Sequence, residues 1–522
     1  MNETPFTTLL CRDAASQVIA SPAASHCWHR LIHCVRQIDD EAIKSALVAE
    51  LLAQTPDAGV AGFLRATWLV SLRKDDAALY EAGRLVCEIA PFDPDRVMAF
   101  LVFAWSHILN QSGDTTAFVR AIRAACFPPL LHRLGQTLVR QTPPQLVRRQ
   151  IDRVRRVAVV TPCLSAHSHA PTATALHQAR ILAEHGMQVE LFCCHDLMVP
   201  GMMHFLGAGE TTSLAPFDAA SWGALCPPGL RIHQGRTDFS VSARWVGMLE
   251  HLAGFDPDLI LSVGLFSPLV AALFEVRPVL AHNVHAVAPL DPVDVWLCAD
   301  ALRAGQMPSE WEGGPGAAVG WHHPFRVRRA APASALSRQQ LGLPETSLVL
   351  VSVGYRLDTE INGAWAACMV ELLRRQPQVT WLLVGGAGTL PPALATAPAS
   401  QVRLLSARDD IGSVLACCDI YVNPPRMGGG FSVAEAMGAG LPVVSYANSD
   451  GGRKVGAAAV GGDAAYLTTL LGLIDSADAR AREGAVMRAL FASTLDLDQS
   501  GPSLLAACEL ALQRFQQRSD GG

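Results

Sequence analysis

Between Asn423 and Gly456 the chain reads NPPRMGGGFSVAEAMGAGLPVVSYANSDGGRKVG. An apolar run that predicts a buried strand (Ile420, Tyr421, Val422) precedes it, and a second strand-like run spans Leu441 to Tyr446. Between the two lie Pro-Pro, three consecutive glycines and an Ala/Met-rich stretch of helical character. Strand, short loop, helix and strand in that order form the repeating unit of a parallel, doubly wound sheet. Glycines at a helix start leave backbone N–H groups unobstructed and aim the positive end of the helix dipole outward, so an anion such as a diphosphate fits there. Glu435, one turn inside the helix, adds an acceptor suited to sugar hydroxyls. A purely structural strand–loop–helix unit would carry the same letters.

The same rhythm runs through most of the chain. From Val157 the sequence VAVVTP predicts a strand, SAHSHAP a loop, TATALHQARILAEHG a helix and MQVELFCC the next strand. PDLILSVG, RPVLAHNVHA and DVWLCAD supply three more strands, whereas 201–244 shows no readable pattern. Strand and helix signals lapse in GWHHPFRVRRAAP (320–332), which reads as a linker. A second set follows: SLVLVSVGYRLDTEI as a strand and loop leading into a helix, VTWLLVGG, QVRLLSA and DIYVNPP as strands, DDIGSVLACC as a helix, and a final helix over 503–518. Ahead of all this, residues 25–140 show helical periodicity broken at 55–59, 91–94 and 112–114, which predicts five or six amphipathic helices. No 34-residue repeat with tetratricopeptide signature residues aligns there. QLVRRQIDRVRR (145–156), with five arginines, marks a boundary and reads as a solvated helix end or linker, contact with an anionic membrane surface being the alternative. The expected organisation is an all-α region (1–145), a first Rossmann-like domain (146–325) and a second (326–522).

Composition excludes several classes. A chain of 522 residues, 50% hydrophobic and 17% charged, has the balance of a well-buried globular protein. A formal charge of −6 gives no global drive toward nucleic acid. The fourteen cysteines are scattered without CxxC spacing and read as buried thiols in a reducing compartment, which points to the cytoplasm. The first residues lack a basic segment followed by an apolar core, so no signal peptide is expected. The longest apolar stretch, Leu259 to Phe274, is interrupted by Gly264 and Ser267-Pro268; it reads as a strand turning into a helix, and no transmembrane segment is expected.

The stretch around Glu435 resembles the donor-binding segment of the GT-B glycosyltransferases, which take a sugar from a nucleotide diphosphate. Their retaining branch has two glutamates separated by seven residues, then Ala-Met or Ala-Leu, a small residue, Gly, x and Pro-Val-Val. Glu435, Ala436, Met437, Gly440, Pro442, Val443 and Val444 match the second half, but the first glutamate falls on Met427. In the family the first carboxylate lies by the transferred sugar and the second by the ribose. The resemblance therefore implies a nucleotide-sugar site and leaves retention or inversion open. In relatives the first strand of this half ends in Gly-Arg with a lysine about five residues later, both holding phosphates. Arg356 stands at the arginine position and Ile361 at the lysine position, so Arg453 and Lys454 are candidates for the missing cation. The implied donor site comprises Arg356, Gly428, Gly429, Gly430, Phe431, Ser432, Glu435, Arg453 and Lys454. A diphosphate leaving group would be stabilised electrostatically, with neither metal nor other cofactor. The resemblance also implies a last helix that crosses back onto the first Rossmann-like domain.

The first loop of that domain carries His167 and His169 at the carboxyl end of its first strand, where open α/β sheets place ligands. A second group, His282, Asn283 and His285, follows another strand, with Asp291 and Asp294 beyond. His169 and His285 are the candidate catalytic groups, and no spacing here matches a zinc site. The acceptor is expected to be a protein or a cell-envelope glycan, held by the first half and by the helical region, unless that region only packs as a cap. Two other functions stay open: a catalytically silent nucleotide-sugar-binding partner of another glycosyltransferase, suggested by the lost glutamate and lysine, and a dinucleotide oxidoreductase, disfavoured because no GxGxxG follows a first strand.

Overall fold

The computed structural model describes residues 5–166, 169–199, 216–284, 287–305, 318–325, 327–328, 336–385, 388–408 and 410–520. Two parallel sheets organise them. The first contains β1 (Arg156–Thr161), β2 (Gln188–Cys193), β3 (Arg231–Gln234), β4 (Leu259–Val263), β5 (Val279–His282), β6 (Val295–Cys298) and β7 (Val319–His322), in the order β3-β2-β1-β4-β5-β6-β7. The second contains β8 (Leu348–Val353), β9 (Val379–Val384), β10 (Val402–Leu405), β11 (Ile420–Val422) and β12 (Val443–Val444), in the order β10-β9-β8-β11-β12. β3 lies in the stretch that showed no pattern, and β7 corrects the reading of 320–332 as linker. Both are edge strands with mostly half-exposed or exposed residues, so neither has the continuous apolar run that marks a strand buried on two faces.

The inner strands of the first sheet show why both faces are covered. Val157, Val159, Leu259, Leu261 and Leu280 pack on one side with Leu504, Ala507, Cys508, Ala511 and Phe515 of the last helix, Gly501–Asp520. That helix thus returns to the first sheet, where Arg518 pairs with Asp294 at 2.8 Å and the Trp321 indole N–H donates to Ser503 at 3.1 Å. Ala158, Val160, Ile260 and Ala281 face the other way and share one core with the helical region.

That region holds eight helices over described residues 5–139, more than the five or six expected. Pro5–Ala20 was unread because its buried residues are mostly small: Cys11, Ala14, Ala15 and Val18. The stretch after Thr115 divides at Cys126, whose left-handed φ of 61° ends one helix before Phe127–Val139 begins. Phe127 meets Phe266 edge to face at 5.8 Å, and Gly135 lets its helix approach Ala271 so closely that a side chain there would collide. The helices from Gly59 to Val139 are therefore built into the first sheet's core, whereas the earlier ones gather around Trp28, Leu31, Leu51 and Trp68 in a core of their own. No helix among the described residues is long and apolar enough to cross a membrane.

The arginine-rich connector is solvated only in part: Arg148, Arg153 and Arg155 are exposed, whereas Arg149 and Arg156 turn onto acidic partners. Asp256, in a left-handed turn (φ 48°), receives Arg149 at 3.2 Å, Arg156 at 2.8 Å and the fully buried Arg277 at 2.6 Å. Asp258 accepts from the backbone N–H groups of Arg155 and Arg156 at 2.9 and 2.8 Å, and Arg148 donates to the carbonyl of Phe515 at 3.0 Å. Part of the positive charge that reads as surface in one dimension, that of Arg149 and Arg156, is taken up by two aspartates a hundred residues on.

Asp256→Asn keeps a side chain that tolerates the left-handed turn and removes the charge shared by three guanidiniums. It should lower stability by about 1–2 kcal/mol, because Asp256 is itself a third exposed and screened by water while the buried Arg277 keeps carbonyl acceptors. Urea unfolding of the two proteins measures the loss, and a change within ~0.5 kcal/mol, the usual range of a surface substitution, would show the cluster to be ornamental.

Candidate functional site

At the carboxyl edge of the second sheet, β8 and β11 lie side by side and their following loops meet. β11 leads through Asn423–Gly429 into the helix Gly430–Ala439, with Gly429 at φ 85° turning the chain into it. The first amides of a helix have no intrahelical acceptor, and those of Gly430, Phe431 and Ser432 hold that position here, where the glycine run predicts an anion site. The Ser432 hydroxyl is otherwise engaged: it accepts from the Tyr421 hydroxyl at 2.8 Å and reaches the carbonyl of Val353 at 3.2 Å. Phe431 is a wall residue, partly buried against the core beneath the helix.

Two of the three predicted cations flank this helix start. The Arg356 guanidinium lies 3.1 Å from where a Gly428 side chain would begin. Lys454 stands so close to Gly430 that any side chain there would strike its ammonium. Residues 453 and 454 belong to a short helix, Asp450–Val455, and not to a loop. Arg453 points away from the cluster: its Nη1 pairs with Asp300 at 3.1 Å, just past the carboxyl end of β6. That bridge sets the carboxyl edge of the first sheet opposite the donor half.

Each cation comes with a carboxylate that sequence reading overlooked. Arg356 holds Glu360 with two N–H groups, at 2.7 and 3.1 Å, and Lys454 holds Asp450 at 3.1 Å. A further guanidinium, that of the buried Arg426, reaches Glu360 at 2.8 Å. Spacing gave a partial signal, since Arg356–Glu360 and Asp450–Lys454 are four apart on helices. Nothing local announces that Arg426, between Pro425 and Met427, turns inward.

Glu435 has the opposite environment. Val433, Ala434, Ala436 and Met437 around it are buried, and burial alone pushes its carboxyl up to about 7. No hydrogen bond or ion pair engages it among the described residues. A desolvated, unpartnered carboxylate beside an anion site suits the hydroxyl pair of a sugar. Met427, at the position of the family's first glutamate, is 1% exposed and packs into the core shared by the helical region and the first sheet.

Of the histidines, His169 caps the start of the helix Ala170–Glu184 after β1. Its Nδ1 lies 2.7 Å from the Thr172 hydroxyl and its Nε2 3.8 Å from the Cys163 sulfur. Burial holds it down to about 4, so the ring is neutral. β1 and β6 are three strand spacings apart in the sheet, roughly 14 Å, so His169 stands on the same edge as Asp300 without joining the Arg356 cluster. His285 and His167 lie outside the described residues. The group around them is framework: His282 bonds Gln178 at 3.0 Å, Asn283 donates to the Val287 carbonyl at 2.8 Å, and Asp291 accepts from the Ser267 amide at 2.7 Å.

Comparison with known proteins agrees with this geometry. Residues 347–471 match the family described as Glycosyl transferases group 1. A mutant of the Thermobaculum terrenum O-GlcNAc transferase shares the fold over 97% of this chain and 94% of its own, with 14% identity and a TM-score of 0.55. Partial likenesses extend to WaaG, a glycosyltransferase involved in lipopolysaccharide biosynthesis (16% identity, 67% and 99% of the two chains, TM-score 0.42). They extend also to the glycosyltransferase SnogD from Streptomyces nogalater (16%, 68% and 99%, TM-score 0.41). No curated protein matches the chain. Over nearly the whole chain the fold is that of an O-GlcNAc transferase, two facing Rossmann-like halves in the GT-B arrangement, here with an N-terminal helical region, and the segment that matches glycosyl transferases group 1 lies in the second half.

The environment of Glu435 has a sign that can be checked. Its folded value, about 7, lies above the ordinary 4.5, so the folded state binds the proton more tightly than the unfolded chain. Glu435 therefore costs nothing near pH 4 and progressively lowers stability as pH rises from about 4.5 to 7. Glu435→Gln should match the parent at pH 4 and exceed it at pH 8 by roughly 2–3 kcal/mol. Urea titrations at both pH values decide it, and equal stability at pH 8 would mean that the folded protein already compensates the carboxylate.

Proposed function

We propose that the chain transfers a sugar from a nucleotide diphosphate sugar to a protein or cell-envelope glycan acceptor, acting in the cytoplasm. The observation that carries this reading is the start of the helix at Gly430, flanked by Arg356 and Lys454, with the unpartnered Glu435 one turn behind. The diphosphate would lie across the amides of Gly430–Ser432 and against Arg356, while Glu435 accepts from ribose hydroxyls. As the bond from the anomeric carbon to the diphosphate breaks, negative charge gathers on the leaving oxygen in front of those donors. Fixed dipoles and a fixed guanidinium stabilise it without reorganising. The cations belong to the chain, and no metal is invoked.

The acceptor would enter from the facing edge of the first sheet. His169, held neutral by burial, can accept a hydrogen bond from an acceptor hydroxyl there and orient it; lowered to about 4, it is too weak a base to hold that proton by itself. The helical region sits on the same half, and the fold likeness to an O-GlcNAc transferase across nearly the whole chain supports reading it as part of the acceptor side. With Met427 in place of a carboxylate, no group at that position can assist a retaining pathway.

Met427 also favours a second reading. A buried thioether packed into the facing half's core fills the place where the resemblance puts a glutamate beside the transferred sugar. A nucleotide-sugar-binding protein that supports another glycosyltransferase could dispense with that glutamate.

Release of nucleoside diphosphate from a panel of sugar nucleotides, with and without peptide and glycan acceptors, separates the two. Turnover with any donor removes the silent reading, and tight binding without turnover establishes it. Arg356→Ala should weaken nucleoside diphosphate binding by roughly 1.5–3 kcal/mol, the range for charged hydrogen bonds, and leave binding of the bare nucleoside unchanged. Calorimetry with both ligands checks this, and a parallel loss for the nucleoside would make Arg356 structural.

A further inference from the structure

Arg426 is the least exposed guanidinium near the donor loop, with 3% of its side chain accessible. Its Nη1 donates to Glu360 at 2.8 Å, its Nε to the Asn423 side-chain oxygen at 2.9 Å and its Nη2 to the Val353 carbonyl at 2.9 Å. The Tyr421 hydroxyl lies 3.3 Å from the same Nη2. Side chains at Gly354 or Gly429 would collide with this guanidinium, so the ends of β8 and of the donor loop are both shaped around it. With its N–H groups spent inward, Arg426 cannot reach a ligand.

Its effect must pass through Glu360, whose side chain is 5% exposed and lies between two guanidiniums. Burial pushes the Glu360 carboxyl up, but Arg426 and Arg356 more than offset it and hold it below the usual range. It is therefore ionised. One negative charge faces two positive ones, and the triad carries a net charge of one positive. Without Arg426, Glu360 would cancel Arg356, the one member of the three with an accessible edge, 32% exposed. Ile361, buried beside Leu357 and Trp365, supplies no substitute cation.

We infer that Arg426 is a positioning residue: as counter-charge to Glu360, it leaves Arg356 an uncompensated cation for the donor's diphosphate, in place of a second phosphate-binding cation on the loop after β8. The inference rests on the donor site proposed above and adds the source of its net charge. A group that acted only by packing would be insensitive to the charge of its partner. A counter-charge is not.

The test is a charge-rescue series read by calorimetry with UDP, GDP and ADP and their nucleosides, with thermal melting alongside. Arg426→Met should weaken binding of the preferred diphosphate by about tenfold or more, one charge-assisted contact, and leave the nucleoside unchanged. Adding Glu360→Gln should restore the diphosphate to within about threefold of the parent, because Arg356 is again uncompensated. A double variant no better than Arg426→Met, or an equal loss for the nucleoside, overturns the inference. Should Arg426→Met fail to fold, Glu360→Gln alone decides: diphosphate affinity at or above the parent's supports the counter-charge, and a loss rejects it. A parent protein that binds none of the diphosphates removes the donor site itself, an outcome distinct from failed rescue.

Discussion

Burial of the first sheet on both faces is the constraint on which the rest of this structure depends. A parallel sheet cannot leave a face in water, and here both ends of the chain complete the covers that the sheet's own helices begin. Ala158 and Val160 share a core with the helices Val241–Phe255 and Pro268–Phe274, onto which the helices that precede the sheet pack. Val157 and Val159 share the other core with the helix Ala170–Glu184 and the last helix, which lies along β5 and β6 and arrives after the second sheet has been built. The return of that helix ties the donor half to the first half, with Arg518 on Asp294 and Ser503 under Trp321 as polar fasteners. The Arg453–Asp300 pair then sets the two carboxyl edges opposite each other. A cleft between facing carboxyl edges is where two such halves can bring a donor and an acceptor together.

The site inside that cleft is governed by how charge is held. Buried ions are costly unless paired, and this chain pairs most of its own: Lys454 with Asp450, Glu360 with both Arg356 and Arg426. Two groups depart from that economy. Arg356 shares its carboxylate with a second guanidinium, so positive charge is left over, and Glu435 has burial but no partner. The donor proposed above, with a diphosphate at one end of a ribose, would meet both departures at once. The positions where the resemblance puts a glutamate and a lysine are apolar: Met427 is packed into the facing core and Ile361 into the core of its own domain. On the facing edge, His169 is held neutral by burial and lies beside Thr172.

What the sequence determined by itself was whatever repeats with a local period or depends on backbone geometry. Buried strands such as Val157–Thr161 and Leu348–Val353 announce themselves because both faces are apolar. The helix at Gly430 announces itself because glycines and a helix start act within one turn, and Glu435 follows from its place one turn inside it, whereas Arg356 is singled out only by the family resemblance. Edge strands β3 and β7 did not, since half-exposed residues carry no run to detect. Only the tertiary structure decided which charges are free. Arg149 and Arg156 look like surface until Asp256 is brought to them, and Arg426 looks like a loop residue until Glu360, sixty-six positions earlier, is folded beside it. An ion's worth depends on the partner and the dielectric around it, and both are properties of three-dimensional neighbourhood that no local pattern encodes.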